Sequence, residues 1–345
     1  MSVDFTLPPT LEAHEPPEER GRARDGVRLL VSRRATGEVA HHEFRDLPRL
    51  LDPGDLLVVN TSSTLPAAVR LDRISVHFST PVPGAGDRLW IVELRRLTGK
   101  TSSPYPGGRA GEWIPMPGGA TLTLVGRHTA RGETSGRLWQ ARLSMDVVPY
   151  LRRHGTPIRY GYVRRDRPAA AYQTVFAHDR TTGGAEMPSA GRPFTPELVT
   201  RLVSRGVHIA PITLHTGVAS PEAHEPPYAE RYEVPPSTAA LVEHVRSRGG
   251  RVIAVGTTAV RALETSVDAS GRVRASEGWT EHIVTPERGV HAVDGLLTGL
   301  HEPKSSHLLM LTAIAGHDLL ASTYKAALAE RYLWHEFGDV NLLLP

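Results

Sequence analysis

The period of apolar and polar positions changes repeatedly along the chain, most sharply at GGRVIAVGTTAVRALE, Gly249 to Glu264. Val252 to Val255 form an apolar, mostly β-branched run suited to a central strand covered on both faces. Gly256 then lets the backbone approach a neighbour closely. Thr257 and Thr258 offer hydroxyls and a helix cap, and Ala259 to Glu264 begin a helix. Such a corner points backbone N–H groups and the positive end of a helix dipole at whatever sits above it, which suits an anionic or carboxylate-bearing ligand. An ordinary βα turn has the same pattern.

Upstream, residues 1 to 26 are rich in Pro, Glu and Arg and are expected to be irregular or only partly ordered. Val27 to Phe44 alternates around Thr36-Gly37 as a hairpin. Leu47 to Leu51 form a helical turn, and Asp55 to Asn60 a buried strand that ends in Asn60, Thr61, Ser62 and Ser63. From about Ala67 to Ser144, short alternating segments separated by Pro- and Gly-rich turns predict an inserted β-barrel-like module. Leu151 to Pro168 leads back through Arg159, Arg164 and Arg165, interleaved with Tyr160 and Tyr162. That connector suits phosphates and stacked bases, and equally a solvated arginine-rich link.

The α/β rhythm then returns. A helix follows Thr195 as cap, with Leu198, Leu202 and Val203 buried and Gly206 as its stop. Val207 to Gly217 is a strand running to His215. A long loop carries His224, Glu225 and Glu230, and a helix capped by Ser237 leads into the Gly249–Glu264 corner. Later elements are a strand in TEHIVTP, a strand ending at Leu300, a turn at His301 to Lys304, a helix capped by Ser305, and a last helix from about Asp318 to Glu336. The fold class expected is α/β: a larger α/β domain, residues 1–66 and 157–345, with a small all-β, barrel-like domain inserted at 67–156.

Composition narrows the functional classes. The chain has 345 residues, 40% of them hydrophobic, and no cysteine, which removes disulfides, thiolate metal sites and cysteine nucleophiles together. No apolar run approaches the roughly 18 residues of a spanning helix, and the N-terminus lacks signal-peptide architecture, so no membrane association and a cytoplasmic location are expected. Net charge is +3, with lysine only at positions 100, 304 and 325. The positive charge is therefore nearly all arginine, whose planar fork suits phosphates and carboxylates. There are 17 histidines, yet prolines after His14-Glu15 and His224-Glu225 forbid a helical zinc motif, and no metal site is expected. Nucleophile-elbow and phosphate-loop motifs are missing. What remains is a set of polar clusters at strand-to-helix corners, which an α/β fold gathers at the carboxyl edge of its sheet.

YQTVFA, PSAGRPFT, VHIAPITLHTG, GGRVIAVGTTAVRALE, VDGLLTGLHEPKSSHLLML and FGDVNLLLP, with LDPGDLLVVN upstream, resemble the S-adenosylmethionine:tRNA ribosyltransferase-isomerases of queuosine biosynthesis over nearly the whole chain. The resemblance implies transfer and isomerisation of the ribosyl unit of S-adenosylmethionine onto 7-aminomethyl-7-deazaguanine in tRNA, giving epoxyqueuosine-tRNA, adenine and methionine. It implies no tightly bound cofactor, with S-adenosylmethionine as a substrate, and a monomer acting on tRNA. His215, Glu230 and His301 are the catalytic candidates. Tyr172, Gln173, Ser189, Gly256, Thr257, Thr258, Arg261, Lys304 and Ser305 would hold S-adenosylmethionine, and Arg159, Arg164 and Arg165 would hold tRNA.

Several loops depart from the family pattern. N-D-T-[RK]-V-[IL]-P-A-R becomes NTSSTLPAA, P-T-A-G-L-H-F-T becomes PSAGRPFT, and the H-x-M-H-x-E loop keeps only Glu230. The corner at Gly256 and the H-x-P-K-S turn are intact. This contrast leaves open a divergent relative that uses S-adenosylmethionine with a small-molecule acceptor, and a non-catalytic binding protein.

Overall fold

The computed structural model describes residues 3–98, 101–128, 136–218, 228–303 and 305–345. In chain order the first half contains β1 (Arg28–Arg33), β2 (Val39–Glu43), α1 (Leu47–Leu50), β3 (Leu56–Asn60) and β4 (Ser62–Thr64). Next come β5 (Ala68–Arg70), β6 (Ile74–Pro81), β7 (Leu89–Thr98), β8 (Thr101–Pro104), β9 (Trp113–Pro115), β10 (Thr121–His128), β11 (Leu138–Leu143) and α2 (Val147–His154). The second half contains β12 (Asp179–Gly184), α3 (Pro196–Ser204), β13 (His208–Leu214), β14 (Glu230–Val234), α4 (Pro236–Ser247), β15 (Val252–Val255) and α5 (Thr257–Thr265). It closes with β16 (Ser276–Thr280), β17 (Gly295–Gly299), α6 (His307–Ala315), α7 (His317–Ala329) and β18 (Val340–Leu344).

Nine strands form the main sheet in the order β16-β14-β13-β3-β15-β17-β18-β1-β2. The four central strands, β13, β3, β15 and β17, are parallel, and β15, the strand of the Gly249–Glu264 corner, lies at the middle of the order. Alternation sorts its side chains to two cores. Val252 and Ala254 pack with Leu56, Val58 and the helices α4 to α7. Ile253 and Val255 pack with Leu57, Val59 and α3 on the other face. Burial of this kind stabilises by roughly 25 cal/mol per Å² of apolar surface, which is why an uninterrupted β-branched run is confined to such strands.

The second sheet has seven strands and lies wholly within residues 68–143. It is open rather than closed, with β5 and β9 at opposite ends of its strand order and β8 paired only to β7. Its core of Val76, Phe78, Trp90, Leu122, Leu138 and neighbours is completed by Val147, Val148 and Leu151 of α2. The two chain crossings between the sheets are pinned together, because Ala68 and Thr156 exchange backbone hydrogen bonds of 2.9 and 2.8 Å.

Several expectations need correction. Residues 3–26 are not loose: Val3, Leu11 and Ala13 are buried, and Glu12 bridges to Trp334. Val203 is exposed, so the buried stripe of α3 is Leu198 and Leu202. Ser237 lies inside α4 and does not cap it. Thr257 and Thr258 likewise give α5 no side-chain cap; its N-cap is Gly256. The strand expected in TEHIVTP forms earlier, at Ser276–Thr280, where it pairs with β14. The last helix stops at Ala329, because Arg331 takes the left-handed conformation at φ 55° and Tyr332 packs from the following coil.

Gly155 follows α2 at the pinned crossing, where a Cβ would lie 1.9 Å from the Pro66 carbonyl oxygen and 2.7 Å from that of Leu151. Both obstacles are backbone. Gly155→Ala should therefore cost about 1–3 kcal/mol, read as a lowered midpoint in thermal or denaturant unfolding; an unchanged midpoint would show that the crossing is not tightly held.

Candidate active site at the carboxyl edge of the sheet

Because β13, β3, β15 and β17 run in parallel, the polar turns that follow them emerge at one edge. Asn60 closes β3 and is buried. Its amide donates to the Leu214 carbonyl at 2.9 Å and to the Thr258 hydroxyl at 3.1 Å. Its carbonyl oxygen accepts from the backbone N–H groups of Ser62 and Leu214 at 3.0 and 3.1 Å. One side chain thus joins β3, β13, α5 and the start of β4, with its amide protons and acceptor oxygen all engaged.

Ser62 continues from that junction, its hydroxyl 2.8 Å from Nδ1 of His215. The pairing fixes the ring of a histidine that follows β13. Glu230 and Arg261 are brought together as a nearly buried ion pair. The other Glu230 oxygen accepts the Gly217 N–H at 2.8 Å, and Arg261 also donates to the carbonyls of His282 and Thr280 at 3.1 and 3.4 Å. A residue expected to be catalytic and one expected to hold S-adenosylmethionine are therefore one unit that ties α5 to the loop after His215.

Gly256 has φ 92°, a conformation favoured by glycine. The turn Ser189–Gly191 packs over it, since a Cβ on Gly256 would stand 3.5 Å from Cβ of Ala190. Thr258 uses its hydroxyl to accept from Asn60, while Thr257 stays partly exposed at the edge. Tyr172 and Gln173 serve β4: Gln173 exchanges hydrogen bonds of 3.0 and 2.8 Å with the Thr64 backbone, and the Tyr172 carbonyl accepts from the Thr64 hydroxyl at 2.7 Å.

His301 follows β17 with Nε2 2.9 Å from the Thr298 hydroxyl and its ring stacked on His307, 4.5 Å between centroids. Burial holds His301 well below the usual histidine range and lowers His307 to about 4, so both rings are uncharged near neutrality. Ser305 does not cap α6; its hydroxyl is buried without a hydrogen-bond partner. Lys304 lies outside the described residues, as do His224 and Glu225. Among the described residues, no three metal-ligating side chains gather, and no helix is long and apolar enough to cross a membrane.

Of the basic connector, Arg164 and Arg165 are exposed, whereas Arg159 is drawn to Asp166 at 3.2 Å. Tyr162 is unavailable for base stacking. Its ring lies on His335, 3.8 Å between centroids and 7° from parallel, and its hydroxyl donates to Glu336 Oε2 at 2.7 Å.

His335 and Glu336 were not singled out in the sequence. They follow Trp334 and belong to a second part of the edge, a small recess of about 10 Å³ whose lining includes Arg24, Ser189, Arg192, Gly299, His335 and Glu336. Arg192 is buried, paired with Glu18, and sits over the Phe337 ring at 5.0 Å. Burial raises Glu336 to about 7, opposed by the Tyr162 hydrogen bond and the charge of Arg192. No local pattern announces these two residues; only their nearness to Gly338, which admits no Cβ because the Leu333 and Trp334 carbonyls crowd it, hints at a tight turn.

A carboxyl edge that gathers a fixed histidine, a nearly buried arginine–glutamate pair and a glycine corner defines an α/β protein with a polar cluster at the ends of its parallel strands. Comparison with known proteins makes the class particular. A family profile described as "Queuosine biosynthesis protein" matches residues 1–343. The S-adenosylmethionine:tRNA ribosyltransferase-isomerase of Symbiobacterium thermophilum is 39% identical over 99% of this chain and 98% of its own length. That of Moorella thermoacetica is 35% identical with the same coverage. The crystal structure of S-adenosylmethionine tRNA ribosyltransferase from Thermotoga maritima matches with a TM-score of 0.55 at 28% identity over 99% of both chains. The chain belongs to the queuosine biosynthesis protein family.

Glu336 gives the site a pH signature. Its folded value of about 7 lies above the ordinary 4.5, so its contribution to stability is fully present below about pH 4.5 and is lost as pH rises through 7. Glu336→Gln, which removes the buried charge, should raise the melting temperature by a few degrees more at pH 8.5 than at pH 5. An equal change at both pH values would refute the shift.

Proposed function

We propose that the protein is an S-adenosylmethionine:tRNA ribosyltransferase-isomerase, which moves the ribosyl unit of S-adenosylmethionine onto 7-aminomethyl-7-deazaguanine in tRNA and releases adenine and methionine. The observation that carries the reading is end-to-end likeness to relatives of that name, together with a carboxyl edge on which the Gly256 corner, His215, Arg261 and Glu230 converge. In this reading residues 67–156 are an inserted domain on the larger domain of 1–66 and 157–345, and the working form is a cytoplasmic monomer.

The chemistry needs a base, a neutral polar lining and a place for the leaving purine. The sulfonium of S-adenosylmethionine acidifies the neighbouring C5′ proton. A base removes it, adenine departs, the amine of the modified base adds, and closure of an epoxide expels methionine. His215 is the base candidate, since the Ser62 hydroxyl at Nδ1 fixes its ring and imidazole is the side chain best suited to proton transfer at neutral pH. Glu230 is a positioning residue, its oxygens committed to Gly217 and Arg261. Arg261, Thr257, Thr258 and Ser189 support the S-adenosylmethionine side. His301, uncharged in its buried setting, supplies polar lining without competing charge.

Incubating the purified protein with S-adenosylmethionine, with and without precursor tRNA, tests the reading through adenine and methionine release. Release that requires tRNA is expected. Release without tRNA would instead favour a small-molecule acceptor, and binding without turnover a non-catalytic protein. The exposed pair Arg164 and Arg165 makes a separate prediction: replacing both by Ala should weaken tRNA binding and lower the slope of log affinity against log salt by roughly one to two. Unchanged binding would leave them as a solvated link.

A further inference from the structure

Charge is distributed unevenly along the chain. Residues 67–156 carry thirteen lysines and arginines against six aspartates and glutamates, whereas the rest of the chain has 27 against 31. The net charge of +3 is thus the sum of a strongly basic segment and a mildly acidic remainder. Among the described residues, the exposed arginines of that segment that form ion pairs are Arg70, with Asp166, and Arg88, with Asp146. The others, Arg142 among them, face solvent with no acidic partner.

The second sheet also presents an aromatic ring to solvent. Trp113 is 65% exposed and lies on β9, which ends the strand order of that sheet. A large apolar side chain on an edge strand is costly to leave in water and invites a partner. Register places it among its neighbours: Trp113 stands opposite Thr123 of β10, and Thr123 opposite Arg142 of β11. Residues paired across strands share a face, so an indole, a hydroxyl and a guanidinium form one row. Along β11 the same face runs through Gln140 to Leu138, about 13 Å further on at 3.3 Å per residue. There Leu138 pairs with His128, whose ring centroid lies 5.8 Å from that of Tyr228. Tyr228 comes just before Glu230, the partner of Arg261. The row therefore leads from an open edge towards the carboxyl edge of the main sheet.

An apolar protein partner would cover the indole and leave the arginines unmatched. A nucleic acid answers both, because its phosphates pair with guanidinium groups and its bases stack on aromatic faces. We propose that the face of the second sheet carrying Trp113 and Arg142 docks the tRNA outside the reacting nucleotide, with Arg142 at a phosphate and Trp113 stacked on a base. The proposal rests on the functional reading above and adds to it the surface that holds the RNA.

Binding of precursor tRNA to the full-length protein, followed by fluorescence anisotropy across a salt series and paired with tRNA-dependent adenine release, tests it. Trp113→Ala should weaken binding about tenfold, within the range of one lost base–aromatic stack. Trp113→Phe keeps a π-face and should stay within about twofold of wild type. Arg142→Ala should lower the slope of log affinity against log salt by about 0.7–0.9, a change that Trp113→Ala should not produce. Trp113→Ala and Arg142→Ala should each raise KM for tRNA and leave kcat and the melting midpoint unchanged, because both side chains are exposed and neither belongs to the groups assigned to the chemistry. Wild-type affinity and salt slope in both variants would overturn the docking surface and leave the functional reading standing, as would a fall in kcat at unaltered tRNA affinity or a loss in Trp113→Phe equal to that in Trp113→Ala. Failure of the wild-type protein to bind tRNA would overturn the functional reading and this surface with it.

Discussion

The four hydrogen bonds of Asn60 are the constraint on which the site's geometry depends. Parallel strands place their carboxyl ends at one edge, but they do not by themselves fix how the emerging turns stand relative to each other. Asn60 does so from inside, binding Leu214 twice, Ser62 and Thr258. Its contacts are to backbone at three points. Removing the amide would therefore strand buried N–H and C=O groups, each more costly to leave unpaired than the bond itself is stabilising.

From that junction a chain of contacts reaches the inserted sheet. β6 carries a register shift between Phe78 and Thr80, and at Ser79 its hydroxyl accepts the Val218 N–H at 3.0 Å. Gly217, one residue earlier, donates to Glu230, and a Cβ there would lie 2.5 Å from the Ser79 hydroxyl. Glu230 holds Arg261 on α5, the helix that Asn60 holds at Thr258. The inserted sheet is thus keyed into the loop after His215. A shift of that sheet would be felt first at His215 and the arginine pair, because close-packed contacts transmit displacement rather than absorb it.

What the sequence showed and what it hid divide along the range of the interactions. Strand β15 and the corner at Gly256 were legible because burial on both faces writes a continuous β-branched run, and the hairpin of β1 and β2 because Thr36-Gly37 sits between alternating segments. Features set by distant partners were not. The N-terminal segment looks like a disordered tail by composition, yet Arg20 donates to the Phe337 carbonyl and Glu18 meets Arg192. Four-residue spacing continues through Tyr332, but the chain leaves the helix at Arg331 and Tyr332 is buried by Arg28 and His41 instead. Glu336 was invisible for the same reason: its partners, Tyr162 and Arg192, lie far away in sequence.

The departures from the family pattern take on a different weight once their contacts are known. Thr61, in the turn where the pattern has an acidic residue, donates to the Ile212 carbonyl at 3.1 Å and sits 3.0 Å from the Thr213 hydroxyl. Ser62 holds His215. Arg192, where the pattern has leucine, anchors the N-terminal segment and covers Phe337. None of these replacements leaves a gap at the edge; each is tied into the same network that Asn60 begins. Taken alone, the altered loops leave open a relative that uses S-adenosylmethionine with a small-molecule acceptor. The contacts tie the departing positions into the same frame as the Gly256 corner, with Glu336 and the buried Arg192 lining the recess beside it.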